Sequence, residues 1–235
     1  MKRVIRNIGM TVACVLCAIT FTSRANAFGF IYNFDIGGDP IFSGTPPASA
    51  APWVTLYIQD AGSDAVSLTI SNGGLTATEK LTQLYMNLDP TLTPTSLIFT
   101  QVGSTPGVFV PTMSGGISEG VNAFKADGDG KYDVLFDFST NPGDSFTGGE
   151  SISYLITGIS GLNAMSFYNF LSLPAGGHGP FFAAGHVQSI AYGEGSGWIA
   201  PTGAEEIPVP EPGSASLFLL AGVVGILRHR AGRKA

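Results

Sequence analysis

The heptapeptide YDVLFDF, Tyr132 to Phe138, decides the fold class. Tyr132, Val134, Phe136 and Phe138 fall on one side of an extended chain, while Asp133 and Asp137, with Lys131 just before them, fall on the other. A period of two is what a strand shows when one face meets a core and the other meets water. The stretch therefore predicts a half-buried β-strand with Asp133 and Asp137 in solvent.

Working outward, the same reading applies to Trp53 to Gln59 (WVTLYIQ), Val66 to Ser71 (VSLTIS) and Ser96 to Val102 on one side. On the other side it applies to Ser151 to Ile159, Ala164 to Leu171, Ala183 to Tyr192 and Gly197 to Ala200. Each run is short, rich in β-branched or aromatic residues, and bounded by Gly, Pro, Asn or Asp. Leu75 to Leu88 alone carries helical spacing, in Leu81, Leu84, Tyr85 and Leu88, but its threonines and its strand-like neighbours argue against a helix. The 32 glycines and 15 prolines punctuate these runs rather than collecting in a tract, so they mark turns and not disorder. Many short strands with almost no helix predict an all-β domain over residues 28–200. The expected architecture is a jelly-roll-like antiparallel β-sandwich, two sheets packed face to face. Residues 201–208, with Pro, Gly and Glu205-Glu206, are expected to be a linker.

Both ends of the chain carry targeting features instead of fold. Residues 1–27 form a signal peptide: Lys2, Arg3 and Arg6, then the apolar stretch Ile8 to Phe21, then Ala25-Asn26-Ala27 as a small-residue site cut after Ala27. About fourteen apolar residues give roughly 21 Å of helix, short of the ~30 Å core of a bilayer. Export by the Sec machinery and removal by signal peptidase are expected. The only two cysteines, Cys14 and Cys17, leave with that segment, so disulfides and thiolate chemistry are excluded from the mature protein.

Charge narrows the partners. Between Phe28 and Pro208 the only basic residues are Lys80, Lys125 and Lys131, against all but one of the chain's 17 acids. Such a surface repels nucleic acid, which excludes nucleic-acid binding, and leaves divalent cations as the ions it would attract. Asp127, Asp129 and Asp133 lie close enough in the run ADGDGKYD to form a Ca²⁺ loop. Lys131 and Phe138 occupy positions where an EF-hand needs oxygen ligands, however, and Asp127-Gly128 and Asp129-Gly130 also read simply as turn residues. No cofactor is expected beyond that candidate Ca²⁺.

No enzyme signature emerges. His178 and His186 lack a third ligand at metal spacing, with Glu194 eight residues beyond His186 and no helix to fix it. Gly195-Ser196-Gly197 lacks the strand-to-helix context of a nucleophile elbow. Trp53, Tyr57, Tyr168, Tyr192 and Trp198 could stack on sugar rings, though core packing accounts for them as simply.

The C-terminal segment, residues 209–234, sets distinct features in a fixed sequence order. Pro210-Glu211-Pro212 is followed by the apolar run Ala215 to Leu227 and then by Arg228, Arg230, Arg233 and Lys234. The run is long enough for a helix of about 20 Å, able to enter a membrane but poorly matched to spanning one. The basic end would remain cytoplasmic, which puts the acidic domain on the exported side. The two prolines hold the motif extended, as a peptide read by a protease must be.

This tripartite order resembles the PEP-CTERM sorting tails of Gram-negative bacteria, and Phe181 to Trp198 is similar to segments that precede the tail in some proteins of that kind. The resemblance covers the tail alone. It implies recognition and cutting by an exosortase, an inner-membrane intermediate, and delivery to the cell surface, outer envelope or extracellular matrix. The expected role is non-enzymatic, structural or surface-exposed, and linked to exopolysaccharide or biofilm. A carbohydrate- or Ca²⁺-binding module or adhesin is the alternative, and a secreted polysaccharide hydrolase is a third reading.

Overall fold

The computed structural model describes residues 27–39, 41–104, 113–127, 130–141, 143–190 and 195–209. Twelve strands run β1 (Gly29–Gly37), β2 (Val54–Asp60), β3 (Val66–Ser71), β4 (Lys80–Met86), β5 (Ile98–Ser104) and β6 (Met113–Lys125), then β7 (Gly130–Phe138), β8 (Phe146–Thr147), β9 (Ser151–Thr157), β10 (Leu173–Pro174), β11 (Ala183–Ile190) and β12 (Gly195–Glu206). The only helical elements described are the 3₁₀ turns Pro94–Ser96 and Ala164–Phe167. The protein is all-β. Its strands pair antiparallel in the order β10-β7-β4-β11-β12-β1-β2-β3-β9-β5, with β6 on β7 and β8 on β4.

Alternation sets one arm of this sheet. Val54, Leu56 and Ile58 of β2, Val66, Leu68 and Ile70 of β3, and Ile152, Tyr154 and Ile156 of β9 are buried. The register places Leu56 opposite Ile70 and Leu68 opposite Tyr154, so these side chains form rows on a single face. On the other face Thr69 and Ser153 share a hydrogen bond of 2.7 Å.

The other arm is covered on both faces. Leu81, Leu84 and Met86 of β4 join the main core, whereas Tyr85 belongs to a second cluster with Phe42, Tyr132, Ala184, Trp198 and Ala200. The loop after β1 builds that cluster: Trp198 N donates to Ser43 O at 3.0 Å and Thr45 N to Ser196 O at 3.0 Å, which seats Phe42 against Trp198 with ring centroids 5.6 Å apart. A strand wrapped on both sides loses alternation, which explains the ambiguous pattern of Leu75 to Leu88. Its centre is the strand β4.

Phe136 of β7 joins the arms. It lies 5.4 Å from Phe99 of β5 and 5.6 Å from Tyr154 of β9, although β7 is far from both in hydrogen-bonding order. Both arms therefore contribute to one core.

Two boundaries differ from expectation. The expected linker over 201–208 is instead mostly strand: β12 runs to Glu206 and pairs Glu205 with Ile31 and Ala204 with Tyr32. Pro201, which lacks an amide donor, is tolerated because it sits opposite Phe34 where the register shifts on either side. The folded unit accordingly spans Phe28–Val209 and does not end at Ala200. The expected strand Ala164 to Leu171 is a 3₁₀ turn followed by irregular chain. Asp60 Oδ1 accepts Ala164 N at 2.7 Å and Ser166 Oγ accepts Asn163 N at 3.3 Å, local bonds that replace ladder bonds.

Candidate functional site

Asp133 is the expectation most changed by the fold. Alternation on β7 puts it in solvent, yet it is only 8% exposed. Its Oδ2 accepts Leu88 N at 3.0 Å and its Oδ1 accepts Asn122 N at 2.8 Å. A carboxylate taken out of water needs such donors, and two amides in fixed geometry supply them. Asn122 lies where β6 bulges between Glu119 and Phe124, and its φ of 48° is left-handed, a conformation that Asn adopts more readily than other residues bearing a Cβ. Asp133 thus fastens the bulge of β6 on one side and the end of β4 on the other.

Between those attachments lies a cleft of about 150 Å³, lined by Asn87, Asp89, Val121, Asp133, Phe170 and Leu171 among others. Its walls are held by polar anchors: Asn87 Nδ2 donates to Phe170 O at 3.1 Å, and Asp89 N to Ser166 O at 2.8 Å. Hydrogen bonds from the Thr91 hydroxyl and amide to Asp89 Oδ1 hold the Asp89 carboxyl below the usual carboxylate range. Val121 and Leu171 remain exposed at the rim. Apolar walls around oriented carboxylates can take a small polyhydroxylated group, accepting its hydroxyls and covering its C–H faces.

The other sequence-predicted residues lie elsewhere. Asp127 is exposed and accepts Ser43 Oγ at 3.0 Å, tying the β6–β7 turn to the loop over β12. Asp129 lies outside the described residues, as do Glu194 and Tyr192. Asp133 differs from a free loop ligand because each of its oxygens already holds a backbone amide. Among the described residues, no three His, Cys, Asp or Glu side chains group to hold a metal ion.

The two histidines converge on the second cluster. His178 packs on Phe42 at 6.1 Å, and the His186 ring stacks on Trp198 at 4.7 Å and 24°. Thr82 Oγ1 lies within hydrogen-bond distance of both His186 O, at 3.1 Å, and His186 Nδ1, at 3.0 Å. Burial lowers the His186 pKa, opposed by the charge of Asp127. Burial, with Asp137 adding to it, pushes the Tyr85 phenol up to about 12.

Of the candidate stacking aromatics, Trp53 and Trp198 are buried and Tyr168 half-buried, and Tyr57 on β2 is the exposed one. Ser196 opens β12 and does not sit in an elbow. Ala25, Pro210, Glu211, Pro212, Arg228, Arg230, Arg233 and Lys234 lie outside the described residues, and Ala27 is the first residue described. The expected C-terminal helix over 215–227 lies outside them too. Sequence reading missed the cleft because its members come from four separate stretches. Its one local signal is Asp133 standing between the apolar residues Tyr132 and Val134.

No protein-family model, curated protein or solved structure matches this chain.

Proposed function

We propose that this chain is an exported envelope or extracellular-matrix protein, sorted and cut by an exosortase, whose domain has a structural or surface role without catalysis. The observation that carries this reading is the ordered tail: Pro210-Glu211-Pro212, the apolar run Ala215 to Leu227, and the basic end, attached to an acidic domain behind a signal peptide. No folded domain requires that order, whereas a membrane-delivered, protease-read tag does. The fold supports it in one respect. Residues at the two ends of the domain are neighbours, with Ile207 N donating to Gly29 O at 2.9 Å, so an N-terminus released at a membrane and a tail still held in that membrane leave from one edge. We read the domain as a jelly-roll-like sandwich, because the arms of its sheet share one core through Phe136.

Full-length protein produced in Gram-negative cells with and without an active exosortase tests the sorting. Intact-mass analysis should find the C-terminal segment lost only with the enzyme, and replacement of Pro210-Glu211-Pro212 by alanines should preserve it. Intact tails in exosortase-active cells would sink the processing half.

The cleft beside Asp133 favours a second reading, a carbohydrate-binding module that meets the exopolysaccharide. Calorimetric titration of the mature chain with purified exopolysaccharide, with and without Ca²⁺, addresses it, and heatless titrations remove it.

A further inference from the structure

The nitrogen of Phe28, the residue that follows the expected signal cleavage site, donates to Asp60 Oδ2 at 2.8 Å. The backbone closes the same pair, with Asp60 N donating to Phe28 O at 2.9 Å. Asp60 cannot swing away easily, since its Oδ1 holds Ala164 N at 2.7 Å. Nor can Phe28, whose ring meets Tyr168 edge-on at 5.4 Å and Phe30 at 6.0 Å.

We propose that hydrolysis of the Ala27–Phe28 bond turns this contact into an ion pair, so that removal of the signal peptide completes the fold of the domain. Water adds to the Ala27 carbonyl carbon and the C–N bond breaks; the water oxygen stays on Ala27 as part of its carboxylate, and both water hydrogens end on the Phe28 nitrogen, which becomes an α-ammonium. That group stays where the amide was, 2.8 Å from a carboxylate already fixed by a second donor. The amide–carboxylate bond is already charge-assisted through Asp60, and the ammonium adds to it an attraction between opposite charges that salt screens. The other titratable groups on this edge are Tyr168, beside the Phe28 ring, and Glu206, which accepts the Tyr168 hydroxyl at 3.4 Å. The domain otherwise holds only Lys80, Lys125 and Lys131 as cations, so the new ammonium is a fourth, delivered to a prepared acceptor. The geometry also selects the bond. A cut one residue earlier leaves an amide facing Asp60, and a cut one residue later removes the donor with its anchoring ring.

This inference rests on cleavage after Ala27, so its test separates the two. N-terminal sequencing of exported protein should begin at Phe28, and a different first residue overturns the processing half. Independently, the chain Phe28 to Ala235 is released in detergent from a fusion whose protease leaves Phe28 first. It is compared with the same chain preceded by Ala27, each with and without Asp60→Asn. Asp60→Asn should lower the thermal midpoint further when Phe28 is first, and 0.5 M salt should shrink that difference. Equal losses overturn the ion pair. If the variant fails to fold, acylation of the Phe28 amine in the native unsubstituted chain decides: about tenfold slower than in the urea-unfolded chain supports the pair, and equal rates overturn it.

Discussion

Asp133→Ala tests whether a buried carboxylate, and not a cation, organises the cleft. The substitution strips acceptors from Leu88 N, which is buried, and from Asn122 N, which is partly buried. Hydrogen bonds to a charged group contribute about 1.5–3 kcal/mol each, and a stranded buried donor costs a similar amount. Partial hydration of Asn122 N lowers the total, so the expected loss is about 3–5 kcal/mol. Against a total stability of about 5–15 kcal/mol, that is a large fraction. Asp133→Asn keeps one acceptor but turns an NH₂ toward an amide donor, and should lose about 2 kcal/mol. Urea unfolding of the mature chain reads both as shifts in midpoint at unchanged slope. A loss under about 0.5 kcal/mol for Asp133→Ala would refute the reasoning. So would Ca²⁺ that raises the midpoint of the unsubstituted chain but not that of Asp133→Asn, because Asp133 would then be spending its oxygens on an ion.

Three further outcomes follow from the packing. Phe136→Ala removes the ring that touches Phe99 and Tyr154 and should cost about 3–5 kcal/mol in the same urea assay; a loss below about 1 would mean the two arms do not share a core there. Gly197→Ala places a methyl 1.9 Å from the carbonyl oxygen of Thr45 and should cost about 1–3 kcal/mol, whereas Gly203→Ala, which meets nothing within 4 Å, should be near neutral. His186 is buried so that its neutral form is favoured, which gives a folded pKa below the unfolded value of about 6.5. Its contribution is present above about pH 6.5 and is lost as pH falls through the folded pKa, so His186→Gln should flatten the stability profile below pH 6.5; unchanged acid sensitivity would contradict this.

Some of this protein could be read from the chain without its fold. β3 and β9 alternate cleanly because each presents one face to a core, and local spacing records a one-sided environment directly. The absence of cysteines after residue 17 and the strongly acidic domain are likewise composition, legible at any fold. The order of features in the tail belongs to the same class, since it is written along the chain and read there.

Three features needed the tertiary structure. β4 gave a mixed pattern because loop residues near Phe42 cover one side while the main core covers the other, and that cover comes from distant sequence. Residues 201–206 looked like a linker by composition, yet pairing with β1 offsets the entropy of ordering them. Asp133 looked like a solvent-facing or cation-binding carboxylate. Its partners stand 45 and 11 residues away, so only closure of β4 and β6 around β7 could reveal that its charge is held by two backbone amides. Periodicity reports how a residue is turned relative to its neighbours in the chain, but what waits on that side is decided by contacts that no local window contains.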